Sequence, residues 1–174
     1  TGVIDTVHIG FDPTMLNHPG RLRVAADGQV LVTGTDINVS GTGGQLVSYD
    51  LATGSQQRRL DVGASGAIQS YTLLTRAGDR SRVLLIELGS CCPVQGQVYV
   101  AASGTFSAST GTISFSTGSV TASLTGDRFL IGNQLLTGDL SPAGPVSDPD
   151  WFRGDPTVIS SDASRAYLAI SFGS

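Results

Sequence analysis

The chain has 174 residues, of which 40% are hydrophobic, and this is enough for one well-buried domain. Its formal net charge is −4 and all ten basic residues are arginine, so no broad basic field is present to gather nucleic acid. The longest apolar run, 98–102, is far shorter than the roughly 20 residues that span a bilayer. We therefore expect neither nucleic-acid binding nor membrane insertion.

The composition predicts an all-β protein. Glu occurs once and Lys is absent, so strong helix formers are scarce, while β-branched and aromatic residues stand between clusters of Gly, Ser, Thr and Asp. Four segments share one form, in which a hydrophobic strand leads into a tight turn and then into a second strand: 22–34, 71–88, 120–136 and 158–172. The turn aspartates of these segments are separated by 52, 48 and 35 residues: Asp27, Asp79, Asp127 and Asp162.

A second pair of strands follows each of the first two hairpins, over 45–51 and 57–62 and then over 97–102 and 111–116. Each unit is therefore expected to be a four-stranded antiparallel sheet, and the spacing is typical of β-propeller blades of roughly 40 to 50 residues. The whole chain is interpreted as a single all-β domain or a propeller fragment. Its predicted units are 21–63, 66–118, 119–150 and an incomplete 156–174, with 2–10 as the outer strand of a preceding blade.

The third unit is predicted to lose its regular strands after Leu136. Four prolines fall close together there, and proline within a sheet is confined to edges and bulges. A long loop is therefore favoured over strands in the region of these prolines: Pro142, Pro145, Pro149 and Pro156.

The first unit resembles the YVTN-type β-propeller repeat. It reads DGQVLVTG, then QLVSYDLATG, then a strand that closes with DVG, and the matching residues are Asp27-Gly28, Asp50, Thr53-Gly54 and Val62-Gly63. The resemblance covers about 2–63 and weakens afterwards. It implies a propeller fold, with this chain forming about half of a seven- or eight-bladed ring. The alternative is a β-sandwich of eight to ten strands, in which the same strands are present but the segments are not structural repeats.

In a propeller the short turns of the hairpins would lie on one face and the longer connections on the other. These longer connections are 11–20, 35–44, 89–96 and 138–155. Function on rigid scaffolds is concentrated on such loops, so a partner-binding site is predicted on this second face. The candidate binding residues are Asp12, His18, Asp36, Asn38, Cys91, Cys92, Trp151 and Arg153.

Two adjacent cysteines, Cys91 and Cys92, lie in one of these loops. Neighbouring Cα atoms are closer than ordinary disulfide partners, so a vicinal disulfide would be a strained and readily reduced ring. Such a pair is similar to that of the quinoprotein alcohol dehydrogenases, which would imply a redox or metal-dependent enzyme. The chain departs from that family because it has a single Trp. A loop brace or two ordinary thiols is the favoured interpretation.

A second cluster joins the only Trp to three carboxylates: Asp148, Asp150 and Asp155. Carboxylates at nearby positions of a compact loop can bind calcium, although the EF-hand spacing is absent and a solvated turn is the plainer interpretation. Calcium is the one candidate ion, and no other cofactor and no catalytic residue is predicted.

The favoured function is a non-enzymatic binding or structural module of an exported or cell-surface β-propeller, which presents loops to a protein or glycan partner. The acidic composition, rich in Ser, Thr and Gly, suits an extracellular or cell-envelope location. Half a ring would leave blade edges unpaired, so another chain, another fragment or a second copy is expected to cover them. The alternatives are the propeller enzyme with the vicinal cysteines near its cofactor and a filament or surface-layer subunit.

Overall fold

The computed structural model describes residues 19–34, 44–63, 67–68, 72–87, 95–107, 113, 120–132, 134–145 and 157–168. Across these ranges the chain consists of β-strands and turns without a helix, which confirms the predicted all-β class. In the same part of the chain, no helix is present that is long and apolar enough to cross a membrane.

The described part of the chain contains fifteen strands, which form four antiparallel sheets. Sheet 1 contains β1 (Pro19–Val24), β2 (Gln29–Gly34), β3 (Gly44–Asp50), β4 (Gln56–Arg58) and β5 (Ala67–Ile68). Sheet 2 contains β6 (Thr72–Arg76), β7 (Arg82–Glu87), β8 (Gln95–Val100) and β9 (Thr105–Phe106). Sheet 3 contains β10 (Val120–Ala122), β11 (Arg128–Ile131), β12 (Gln134–Thr137) and β13 (Pro142–Pro145). Sheet 4 contains β14 (Thr157–Ile159) and β15 (Ala166–Leu168).

Sheets 1 to 3 share a meander in which each strand pairs with the next one along the chain. In sheet 1 the short β5 also pairs with the start of β3, at Gly44 and Ile68. The four-stranded antiparallel units predicted from the sequence are therefore present. Sheet 4 has the corresponding first hairpin.

The first hairpins of the four sheets share one backbone feature, although five residues separate the last paired residues in sheet 1 and six do so in sheets 2 to 4. The third turn position lies in the left-handed region, with φ of 84° at Gly28, 66° at Arg80, 65° at Gly126 and 57° at Ala163. These equivalent positions show that Asp127 follows the left-handed residue, whereas the aspartates of the other three turns precede it. The turn aspartates used to align the repeats are thus not all equivalent.

The hydrophobic core is divided between the sheets. One cluster packs between sheets 1 and 2, and a second packs between sheets 2 and 3. Strand β7 contributes to both, because Val83 and Leu85 belong to the first cluster while Leu84 and Ile86 belong to the second. This explains its continuous apolar run, since a strand that is covered on both faces has no solvent side to make polar.

Two predicted boundaries were wrong. The region after Leu136 is not one long loop, because β13 pairs with β12 and places Pro142 and Pro145 in that strand. The two prolines are tolerated because β13 pairs only with β12 among the described strands, so its other side needs no N–H donors. In sheet 2 the outer strand begins at Thr105 rather than at 111, since Gly104, with φ of 66°, completes a tight turn after β8.

The shared turn geometry predicts opposite effects of glycine at two equivalent positions. Ala163→Gly should stabilise the protein by about 0.5–1 kcal/mol, because a left-handed conformation is unfavourable for a residue with a Cβ. Gly28→Ala should destabilise it by about 1 kcal/mol through the backbone alone, since no atom lies within 4 Å of the added Cβ. Urea unfolding would measure both, and equal effects of the same sign would contradict the assigned geometry.

Candidate functional site

The turns of the first hairpins join neighbouring sheets through backbone hydrogen bonds. The N–H of Ala26 in sheet 1 donates to the carbonyl of Arg80 in sheet 2 at 2.9 Å. The N–H of Asp79 in sheet 2 in turn donates to Leu124 in sheet 3 at 2.8 Å. The first strands of the sheets also contact one another in sequence order, β1 with β6, β6 with β10 and β10 with β14. We call β1, β6, β10 and β14 the inner strands.

Side chains reinforce the contact between sheets 1 and 2. The buried Tyr99 of β8 donates its hydroxyl to Asp27 Oδ2 at 2.6 Å, although the two residues are 72 positions apart. Near the outer strands, the guanidinium of Arg59 lies 5.4 Å from the centroid of the Tyr99 ring and 5.6 Å from that of Phe106. Arg59 also pairs with Asp61 at 2.5 Å, and Asp61 accepts the Phe106 N–H at 3.1 Å.

This network changes the acidity of two of its members. Burial, together with the hydrogen bond to Asp27, raises the pKa of the Tyr99 hydroxyl well above its usual range, so the side chain remains a neutral donor. Burial of Asp61 opposes its ionisation, but the hydrogen bonds from Arg59 and the Phe106 N–H, together with the charge of Arg59, outweigh this effect and the pKa of Asp61 is lowered. The network therefore holds a neutral donor against Asp27 and a charged pair beside two aromatic rings.

A cavity of about 540 Å³ lies beside the hairpin turns of sheets 1 to 3. Its polar groups are committed to structural contacts: Asp27 accepts from Tyr99, and Ser81 and Arg82 donate to the carbonyls of Thr125 and Gly126. These contacts fix the positions of three successive turns. The cavity is thus part of the joint between the sheets, and its lining offers few unused polar groups to a ligand.

A second cavity, of about 510 Å³, lies along the inner strands, and we call it the inner-strand cavity. Burial, reinforced by the charges of Arg21 and Arg76, lowers the pKa of Arg23. The positive charges of Arg21 and Arg76 therefore both act on Arg23. The cavity is lined by Leu22, Arg23, Val24, Thr75, Arg76 and Val120.

The candidate binding, calcium and disulfide residues named from the sequence all lie outside the described residues, so these assignments stay predictions. They are Asp12, His18, Asp36, Asn38, Cys91, Cys92, Asp148, Asp150, Trp151, Arg153 and Asp155. Where residues are described, no group of three His, Cys, Asp or Glu side chains is placed to hold a metal ion.

The described strands do define where two of the predicted loops leave the sheets. β2 ends at Gly34 and β3 begins at Gly44, while β7 ends at Glu87 and β8 begins at Gln95. Both gaps are therefore at the end of the sheets opposite the hairpin turns. In sheet 3 only two residues separate β11 from β12, and the segment predicted as a loop over 138–155 is divided by β13.

Sequence reasoning did not identify the inner arginines or the Tyr99 network. One local signal was present for the arginines, since Arg21 and Arg23 are separated by a single residue and so concentrate positive charge at the start of the first predicted hairpin. Their approach to Arg76 depends on how two sheets pack. The sequence also indicates that Tyr49 and Tyr99 are equivalent, because each lies near the end of the third strand of its predicted unit.

No family model matches the chain, and no curated protein has a significantly similar sequence.

Replacing Tyr99 by phenylalanine tests the contact between sheets 1 and 2. Tyr99→Phe should lower the free energy of unfolding by about 1 kcal/mol, because it removes one hydrogen bond to a carboxylate while the ring packing is kept. It should also reduce the loss of stability above about pH 10, where the unfolded chain releases a tyrosine proton that the folded protein retains. The matched control is Tyr167→Phe at a half-exposed ring, and an equal loss in that variant would contradict the assignment.

The pKa values of the turn aspartates predict that the folded protein loses stability in acid. Hydrogen bonds from Ser160 and Ser164 lower the pKa of Asp162 to about 2. Hydrogen bonds also lower the pKa of four other turn aspartates: Asp50, Asp79, Asp127 and Asp139. Because these depressed values make the unfolded chain bind more protons, stability should be full above about pH 4 and fall as the pH drops toward 2.

Thermal melts across that pH range would measure this loss, and Asp162→Asn should make it smaller. A melting temperature that stays constant from about pH 5 to pH 2 would contradict the role of these carboxylates.

Proposed function

We propose that the chain is a non-enzymatic binding or structural module of an exported or cell-surface β-propeller, in which the four sheets are successive blades. The observation that carries this proposal is the order of the inner strands, which follow one another as the chain advances, while hydrogen bonds join the turns of sheets 1, 2 and 3. A ring of meander sheets around a central axis has this arrangement.

The distribution of the core favours blades over a sandwich. In a β-sandwich two sheets bury one face each against a shared core. Here β7 of sheet 2 contributes alternate side chains to two cores, one against sheet 1 and one against sheet 3. Stacking of successive sheets on both faces is the packing that a propeller requires.

The far face of sheet 4 supports the proposal that a further blade packs there. Leu31, Leu84 and Leu130 occupy equivalent positions in the second strands of sheets 1 to 3, and each is fully buried. Tyr167 holds that position in sheet 4 and is 53% exposed. Its direct cross-strand partner, Val158, is 59% exposed. The two side chains form one apolar patch, on the face that the next sheet covers in sheets 1 and 2.

We infer that the occupant of this patch is another meander sheet, supplied by a second copy of the chain or by another polypeptide that completes the ring. The connections at 35–43 and 88–94 would then lie on the face opposite the hairpin turns and form the surface offered to a protein or glycan partner. Loops carried on a rigid scaffold are the usual place for such recognition. The composition rich in Ser, Thr and Gly supports the extracellular or cell-envelope location.

Light scattering on three proteins tests this proposal. The wild-type chain should form an assembly larger than its 17.9 kDa monomer mass, and Tyr167→Asp should dissociate it, because a buried carboxylate without a partner is strongly unfavourable at an interface. The matched control is Leu60→Asp, since Leu60 is 68% exposed and lies outside this patch. That variant should assemble as the wild type does.

A folded wild-type monomer at all concentrations would contradict closure by a second copy. Closure by another polypeptide would then be tested by using each chain to capture a partner from the native source. The wild-type chain should retain the partner, and the Tyr167→Asp chain should not. Failure of both chains to retain a partner would overturn the proposal.

A further inference from the structure

Two arginines face one another across the seam between sheets 1 and 2. Arg23 is directly opposite Leu31 in the pairing of β1 with β2, so it shares the face on which Leu31 packs against sheet 2. Arg76 is directly opposite Val83 in sheet 2, and Val83 belongs to the same core cluster. The side chains of Arg23 and Arg76 therefore project into one seam. A third positive charge, that of Arg21 two residues before Arg23, also acts on Arg23.

The charges of these arginines are not balanced by carboxylates within the described ranges. The ion pair found there joins Arg59 to Asp61, and Asp27 is bound to Tyr99 at the hairpin turns. The six lining residues of the inner-strand cavity include two arginines and no acidic residue. The one hydrogen bond of the Arg23 guanidinium in this part of the chain goes to the neighbouring carbonyl of Leu22, at 2.7 Å.

We propose that the inner-strand cavity binds a small anion that carries two or more negative charges on carboxylate or phosphate oxygens. Guanidinium groups present pairs of N–H donors that match the spacing of such oxygens. An anion placed beside Arg23 and Arg76 would relieve the repulsion between them. Arg23 is partly buried, and charge-assisted hydrogen bonds are strong where the donor is partly desolvated.

The rest of the cavity indicates which anion would fit best. Leu22, Val24 and Val120 supply apolar walls, and Thr75 adds one hydroxyl. A volume of about 510 Å³ is within the range of small-molecule pockets. These walls favour an organic diacid, whose short carbon chain they would cover, over inorganic phosphate, which has no apolar part.

This site does not depend on ring closure, because all of its residues come from β1, β6 and β10 of the same chain. It is also distinct from the loops at the opposite end of the sheets. The proposal therefore goes beyond the proposed function, and either one can fail without the other.

Isothermal titration calorimetry at low ionic strength provides the test, with glutarate, inorganic phosphate and the neutral diamide of glutarate as the three probes. Glutarate should bind saturably and more tightly than phosphate, and the diamide should not bind. Arg23→Gln and Arg76→Gln should each weaken glutarate binding by about tenfold or more, as expected for the loss of a charge-assisted contact. Tighter binding of phosphate than of glutarate would keep the anion site and overturn the preference for a diacid.

The matched control is Arg58→Gln, which removes one positive charge from the exposed outer strand β4. Binding in this variant should stay within about twofold of the wild type. Equal weakening by Arg58→Gln would overturn the site in favour of general charge attraction, and so would binding of the diamide. Absence of saturable binding by both anions would overturn it as well.

A thermal melt distinguishes lost binding from lost folding. Without ligand, Arg23→Gln should melt no lower than the wild type, because the substitution removes a cation that its neighbours and its burial disfavour. Glutarate should raise the melting temperature of the wild type and of Arg58→Gln but not that of Arg23→Gln. An equal increase in all three proteins would contradict the proposal.

Discussion

The backbone hydrogen bonds between hairpin turns are the constraint on which the rest of the structure depends. They join Ala26 to Arg80 and Asp79 to Leu124, and they place the inner strands of three sheets side by side. Each of these turns also has a left-handed residue at its third position, so this feature of the backbone repeats from sheet to sheet. The facing sheets then bury alternate residues of each strand, which is why sheet 2 contributes to two cores.

The same constraint creates the surfaces to which we assign function. Bringing β1 beside β6 places Arg23 and Arg76 in one seam, and the charge of Arg21 also acts on Arg23, so this arrangement is unfavourable on electrostatic grounds alone. Continuing the stack to sheet 4 leaves Tyr167 at a position that is buried in every preceding sheet. One surface is a charged, open cavity along the inner strands, whereas the other is apolar and suited to another sheet.

Local patterns predicted the strands and turns well. The apolar run from Val83 to Ile86 and the Asp-Gly turn at Asp27 are short-range signals that the structure retains. Features that depend on distant parts of the chain could not be predicted in this way. β13 contains two prolines because it pairs on one side only among the described strands. Tyr99 donates a hydrogen bond to Asp27, which is 72 residues away in the sequence. The meeting of Arg23 with Arg76 likewise depends on sheet packing. The loop residues predicted to bind partners or calcium lie outside the described ranges, so their assignment rests on the sequence.

Amide hydrogen exchange of Ala26 and Asp79 tests the central claim most directly. Both N–H groups lie in exposed turns, where exchange would be fast unless the neighbouring sheet accepts the hydrogen bond. If the sheets are stacked as successive blades, these two amides should be protected to nearly the same degree as those in the centres of β2 and β7. Exchange at the rate of an unprotected peptide, while the strand amides stay protected, would show that the sheets fold without being joined and would contradict the account.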